Sequence, residues 1–116
     1  IIPTHTDFLS LTGITNLLSY LESFRTVHPV KCHLLGIAVT LHREHVTQNR
    51  VNRESLDLAF PELMFKTTIP LSTAISTAAQ NHMTPLEVPD ARARDSYTAL
   101  VREIHQRMLH MSESHG

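Results

Sequence analysis

The chain contains nine histidines and one cysteine among its 116 residues, and these side chains commonly bind metals or act as nucleophiles. The string H-R-E-H at residues 42–45 is one residue shorter than the His-x-x-Glu-His pattern of inverted zinc peptidases, and we predict it in a loop. Cys32 and His33 form a lone pair with no second cluster to complete a zinc site. The pattern favours a solvated loop over a metal centre, and a core or surface thiol over a nucleophile.

Four arginines near the end of the chain are candidates for binding phosphate groups. Contacts between arginine and phosphate weaken with salt, and several are needed for useful affinity. The formal net charge is -1, so the chain has no global basic field and any such signal is local. The four arginines are Arg92, Arg94, Arg102 and Arg107. For the last two arginines of this group the alternative is the solvated face of an amphipathic helix, and the first two lie near the start of the last helix, where positive charge is slightly unfavourable.

Residues 63–79, LMFKTTIPLSTAISTAA, predict a strand, a turn and a helix. The β-branched and apolar residues 63–69 fit a buried strand, which Pro70 ends because proline cannot donate to a ladder. Ser72 or Thr73 is expected to cap the helix, which we expect to pack back against the strand. The carboxyl end of such a strand is where open α/β sheets hold ligands.

Three further segments are predicted to be strands. Residues 1–2 resemble the end of a strand that stops at Pro3, and residues 86–88 form a weak one. Residues 34–39, LLGIAV, lack polar alternation, which is typical of an inner strand covered on both faces.

Apolar residues at helical spacing predict three further helices. Their stripes lie within residues 14–24, 56–60 and 97–111, while Glu103 and Arg107 are expected mostly on other faces of the last helix. Strands that alternate with helices imply an α/β protein, with a parallel sheet covered by helices on both faces. We expect one domain, or part of one, over residues 1–116.

Ile1, Ile2 and Pro3 open the sequence without an initiator methionine, as if within a strand, and we expect the chain to be the back part of a longer protein. A single cysteine excludes an internal disulfide and fits a reducing cytoplasm. No apolar run reaches the length that spans a membrane, and none resembles a signal peptide.

Four motifs follow one another along the chain. They are the strand end and helix entry of residues 2–13, the strand LGIAVT of residues 35–40, the element FKTTIPLSTAISTA of residues 65–78, and the spaced Pro, Asp, Tyr, Leu and Glu of residues 85–103. In this order they resemble the ParA-like partition ATPases, within the deviant P-loop class that also contains MinD and the nitrogenase iron protein. The resemblance spans nearly the whole chain.

The resemblance implies that residues 1–116 are the C-terminal half of a P-loop NTPase domain of Rossmann-like architecture. The phosphate-binding loop belongs to the other half, so ATP and Mg are expected as cofactors of the intact parent, while this chain alone is expected to hold no cofactor and to hydrolyse nothing. The loops after two strands would flank the adenine base. Thr40, Leu41 and His42 are expected on one side, with Pro70, Leu71 and Ser72 on the other.

Leu71 and Ala74 stand where many chromosome-partition members carry basic residues. Positive charge gathers instead at the four arginines named above, which are therefore the predicted DNA-binding residues. The resemblance further implies a homodimer of the parent, nonspecific DNA and a ParB-like activating partner, no membrane, and a cytoplasmic, nucleoid-associated location. Plasmid and chromosome partition both stay open as the task.

Two alternatives to a partition ATPase remain. A MinD-like switch needs an amphipathic, basic C-terminal anchor, which residues 112–116 do not provide. The other is a degenerate interaction module without nucleotide chemistry. The preceding sequence would discriminate between the ATPase and the degenerate module. A glycine-rich loop with two lysines favours the ATPase, and its absence favours the module.

Overall fold

The computed structural model describes residues 1–7, 11–28 and 33–115. The predictions on Cys32 and on residues 8–10 of the first motif lie outside this part of the chain. In these ranges, three strands alternate with four helices and one short 3₁₀ helix. In chain order they are β1 (Ile2–His5), α1 (Leu11–Val27), β2 (Ile37–His42), α2 (Thr47–Ala59), β3 (Met64–Pro70), α3 (Thr73–Gln80), the 3₁₀ helix (Pro85–Glu87) and α4 (Ala91–His115).

The strands form one parallel sheet in the order β1-β2-β3, as the alternation of strands and helices predicts. Ile37 and Val39 of β2 are fully buried in a cluster with Ile14 of α1 and Leu56 of α2. Both helices therefore cover the same face of the sheet. The other face belongs to α4, whose Arg107 lies over the ring of Phe65 in β3. The predicted α/β fold with helices on both faces is confirmed.

The ends of the strands differ from the prediction. β1 does not stop at Pro3 but continues to His5. The N–H of Ile2 donates to the carbonyl of Gly36 over 3.0 Å, so by strand alternation the next residue, Pro3, points its nitrogen away from β2. A proline is tolerated on such an edge strand because no ladder donor is lost.

β2 begins and ends three residues later than predicted, at Ile37 and His42. Its position follows from pairing, since His5 lies beside Thr40 and His42 lies beside Pro70. The predicted loop residues Thr40, Leu41 and His42 are therefore the last residues of a strand.

The register between β2 and β3 is irregular. Ile37 lies beside Met64 and Val39 beside Thr68, so β3 carries two extra residues in this interval. Such a bulge leaves main-chain groups without ladder partners. Side chains of two helices supply them, because Glu103 accepts from the N–H groups of Lys66 and Thr67 at 2.8 Å each, and Arg53 donates to the carbonyl of Phe65 at 2.7 Å.

The prediction for the faces of α4 was wrong in part. Glu103 and Arg107 lie on the inward face, with side chains only 14% and 23% exposed, whereas Val101 and Met108 are exposed. Helical periodicity assigns charged residues to the outside, but here the main-chain groups of the bulged strand need charged partners. The inward face of α4 is polar for that reason.

The predicted strand at residues 86–88 is absent from the described sheet. Pro85–Glu87 form a 3₁₀ helix, and the apolar signal comes from Val88, which is buried with Ala78 of α3 and Ala93 of α4. α3 thus packs through Ala78 on this segment and on α4, and not into the cluster that covers β2 and β3.

Candidate functional site at the carboxyl edge of the sheet

The carboxyl ends of the three parallel strands meet at one edge, where a network of polar side chains fixes the first two loops. Asp7 follows β1, and its Oδ1 accepts hydrogen bonds from Nδ2 of Asn49 at 2.8 Å and from Nη2 and Nε of Arg43 at 2.9 and 3.2 Å. The hydrogen bonds from Asn49 and then Arg43 lower the pKa of the Asp7 carboxyl. The amide of Asn52 donates to the carbonyl of Thr6 at 2.7 Å, which ties the same loop to α2.

His42 ends β2 with its imidazole buried between two partners. Its Nδ1 lies 2.7 Å from Oγ1 of Thr6, and its Nε2 lies 2.5 Å from Oε2 of Glu44. A hydroxyl, an imidazole and a carboxylate in this order resemble a nucleophile with its base. Thr6 is fully buried, however, so no substrate reaches the hydroxyl. These two contacts of the imidazole instead hold Glu44 at the edge of the sheet.

The loops after β2 and β3 are joined by the main chain. The N–H of Leu71 donates to the carbonyl of His42 over 3.0 Å, so the two groups of residues predicted to flank a base are neighbours. Leu41 and Leu71 expose 39% and 51% of their surface at this edge. Leu41 also has φ of 53°, in the left-handed region that costs a non-glycine residue about 1–2 kcal/mol.

The hydroxyl groups of Thr40 and Ser72, both residues that were predicted to flank the base, donate to partners within the protein. Oγ1 of Thr40 donates to the carbonyl of Thr4 at 3.5 Å. Ser72 occupies the N-cap position of α3, but its Oγ donates to Oδ2 of Asp90 at 3.0 Å and does not cap its own helix. The other oxygen of Asp90 accepts from the N–H groups of Arg92 and Ala93, so Asp90 caps α4.

A cleft of about 150 Å³ opens between these loops and the first turns of α4. It brings His42 and Pro70, both predicted to flank a base, together with Arg92, which was predicted to bind DNA. In the sequence, Glu44 is noticeable only as part of the H-R-E-H string, while Thr68 within β3 and Ser96 within α4 carry no functional signal of their own. The lining residues are His42, Glu44, Thr68, Pro70, Arg92 and Ser96.

The four candidate arginines have different surroundings. Arg92 lines the cleft, Arg94 is half-buried, and Arg102 is exposed beside Lys66 in a groove between β3 and α4. Arg107 differs from them, because its guanidinium donates to the carbonyls of residues 35, 63 and 64 at 2.6–3.2 Å. Lys66 was not identified from the sequence, where it is an isolated charge in an apolar run.

These observations define an α/β protein with a three-stranded parallel sheet, consistent with a Rossmann-like fold. Among the side chains that the structure describes, in residues 1–7, 11–28 and 33–112, no three histidine, cysteine or acidic side chains are grouped to hold a metal ion. No helix in the same part of the chain is both long and apolar enough to span a membrane. No family model matches the sequence, and no curated protein matches it either.

Proposed function

We propose that this chain is part of a ParA-like ATPase for plasmid or chromosome partition, in which it forms the wall around the adenine base. The observation that supports this best is the hydrogen bond between Leu71 N–H and the carbonyl of His42. It joins two loops at the carboxyl edge of a parallel sheet, which is the general ligand position of open α/β folds.

The chemistry of the edge suits a base. A heteroaromatic ring needs flat apolar contact and a few polar groups at its rim. Leu41 and Leu71 offer exposed apolar side chains, and Pro70 lines the cleft with its rigid ring. The strained φ of Leu41 also supports the proposal, because such strain is frequently retained at binding sites.

The triphosphate and Mg would be held by another part of the protein. The sequence has three glycines and no G-x-x-x-x-G-K-[ST] pattern, whose main-chain N–H groups and lysine grip phosphates. ATP hydrolysis, dimerisation of the parent and stimulation by a ParB-like partner are therefore proposed for the natural polypeptide that carries this chain.

For DNA contact we propose Arg102, together with the neighbouring Lys66 and the half-buried Arg94. Arg102 and Lys66 line the same groove, which also contains Glu103, and together they offer two positive charges for contact with phosphates. Arg107 is left out of this surface because its donors are bonded to main-chain carbonyls. Nonspecific DNA contact of this kind would place the protein on the nucleoid.

Affinity for ATP tests the base wall directly. In the natural polypeptide, Leu71→Glu should raise the dissociation constant for ATP about tenfold or more, because it removes apolar contact and adds a negative charge. The same substitution at Leu58, which is 85% exposed on α2, is the matched control and should leave the constant unchanged. Equal affinity for ATP in both variants, or no ATP binding by the unaltered protein, would refute the proposal.

A further inference from the structure

The small cleft at the carboxyl edge carries two opposite charges on different elements. Glu44 follows β2, and Arg92 lies in the first turn of α4. Within the described residues, the guanidinium of Arg92 makes no hydrogen bond and no ion pair, although its main-chain N–H is bonded to Asp90. An unpaired guanidinium thus lines a cleft that also contains a carboxylate.

The carboxylate of Glu44 is held in place although the residue is largely exposed. Its Oε2 lies 2.5 Å from Nε2 of His42, and Nδ1 of that imidazole lies 2.7 Å from the hydroxyl of the fully buried Thr6. The chain of contacts from Thr6 to Glu44 orients the carboxylate. It leaves Oε1 as the oxygen with no partner in the described part of the protein.

We propose that Glu44 and Arg92 recognise the hydrogen-bonding edge of the base and make the site selective for adenine over guanine. This inference rests on the function proposed above and assigns two residues to it. Glu44 Oε1 accepts from the exocyclic amino group of adenine, and the Arg92 guanidinium donates to a ring nitrogen beside it.

The two purines differ at this edge. Adenine presents one donor, the N6 amino group, next to one acceptor, N7, whereas guanine presents two acceptors, O6 and N7. The cleft is lined by an acceptor, the Glu44 carboxylate, and by a donor, the Arg92 guanidinium, and this pair matches adenine. Guanine would place its O6 against the carboxylate of Glu44, and an acceptor that faces another acceptor forms no hydrogen bond.

The same geometry separates Arg92 from the other arginines. Arg94 and Arg102 lie on the same helix, but neither lines the cleft that contains His42 and Pro70. We therefore assign Arg92 to the nucleotide. Arg92→Ala is expected to lower the affinity for ATP, and not the affinity for DNA alone.

The test compares the dissociation constants of the natural polypeptide for ATP and GTP. Arg92→Ala should weaken ATP binding about tenfold, and Glu44→Gln should reduce the preference for ATP over GTP about tenfold, because a carboxamide can donate to O6. Matched controls are Arg50→Ala and Glu54→Gln, both on the exposed surface of α2, which should leave both constants unchanged.

The outcomes distinguish the assignment of Glu44 and Arg92 from the proposed function as a nucleotide-binding protein. If the unaltered protein binds ATP while Arg92→Ala and Glu44→Gln leave both dissociation constants unchanged, the assignment of these residues is wrong and the proposed function stands. If Arg92→Ala weakens DNA binding alone, the assignment is also wrong. If the unaltered protein binds no nucleotide, both fail. The carboxamide introduced by Glu44→Gln keeps an oxygen that can accept from His42, so folding of that variant, checked by circular dichroism, is expected to be unchanged.

Discussion

Arg107 of α4 lies across the ring of Phe65 in β3, with its guanidinium carbon 4.1 Å from the ring centroid. From this position its nitrogens donate to the carbonyls of Leu35, Leu63 and Met64 and approach Glu103 at 3.3 Å. One side chain thereby joins the segment before β2, the start of β3 and the last helix. The planar fork of arginine allows these simultaneous contacts, which lysine has too few directed donors to reproduce.

Arg107→Lys is therefore expected to destabilise the protein. The variant retains the charge but loses most of the charged hydrogen bonds and the stacking on Phe65, so the free energy of unfolding should fall by about 3 kcal/mol. Urea denaturation measures this change. Arg102→Lys, on the exposed side of the same helix, should change it by less than about 0.5 kcal/mol. Equal effects of the two substitutions would show that Arg107 does not join these elements.

Gly36 is required by the close approach of Arg107 and β3. A Cβ atom added there would lie 2.5 Å from Nη1 of Arg107, 2.6 Å from the carbonyl oxygen of Leu63 and 2.8 Å from the ring of Phe65. Because the Leu63 oxygen is part of the main chain, Gly36→Ala should destabilise the protein by about 2–3 kcal/mol. Ser19→Ala, at an exposed position within α1, should change the free energy of unfolding by less than about 0.5 kcal/mol. Thermal unfolding of the two variants provides the comparison.

The pH dependence of stability should report on Glu103. Burial raises the pKa of its carboxyl, but hydrogen bonds from Thr67 and Lys66 and the charge of Arg107 together outweigh burial and lower the pKa below its ordinary value of 4.5. Because the folded pKa is depressed, the stabilisation is complete above pH 4.5 and is lost as the pH falls through the folded pKa.

Glu103→Gln removes this titration. The difference in unfolding free energy between the unaltered protein and the variant should be largest near neutral pH and should shrink on acidification below pH 4.5. Urea denaturation at several pH values measures it. A difference that stays constant as the pH falls well below this value would indicate that the carboxylate charge does not contribute.

Replacement of Leu41 by glycine is expected to stabilise the fold and to weaken ATP binding. Its φ of 53° disfavours a side chain with a Cβ, so Leu41→Gly should raise the free energy of unfolding by about 1 kcal/mol. The same variant loses apolar contact with the base, and its affinity for ATP should fall. His82→Gly is the control. His82 also has a positive φ, of 57°, and lies far along the chain from His42 and Pro70 of the cleft. This variant should therefore gain stability without a change in its affinity for ATP. Denaturation and ATP titration of both variants decide whether Leu41 contributes to the site.

The order of elements was predictable from the sequence because each helix and strand has its own pattern. The apolar stripe around Ile14, the apolar run before Val39 and the stripe of residues 56–60 are local signals of helix or strand. The ends of strands are not local, because Pro3 and His42 join the sheet through the register of their neighbours. No pattern in the chain indicates that β1 is an edge on which a proline fits.

The inward charges of α4 were missed for a similar reason. The bulge in β3 arises only when this strand is paired with β2, and it creates the main-chain donors that Glu103 satisfies. Before the bulge is known, Glu103 and Arg107 are indistinguishable from surface residues of an amphipathic helix.

The candidate site was predictable in outline and not in detail. Motifs after β2 and β3 identify the loops that the structure joins through His42 and Leu71. Glu44 and Ser96 come from different parts of the chain, and only the antiparallel passage of α4 beside β3 brings them to one cleft. Their types alone carry no signal of base recognition.

The most direct measurement of the central claim is an amide NMR titration of the isotope-labelled natural polypeptide with ATP. If these loops form the wall around the base, saturable shift changes are expected at the amides of Leu41, His42, Leu71 and Ser72. Binding of ATP that leaves these four amides unchanged, or no binding at all, would contradict the account.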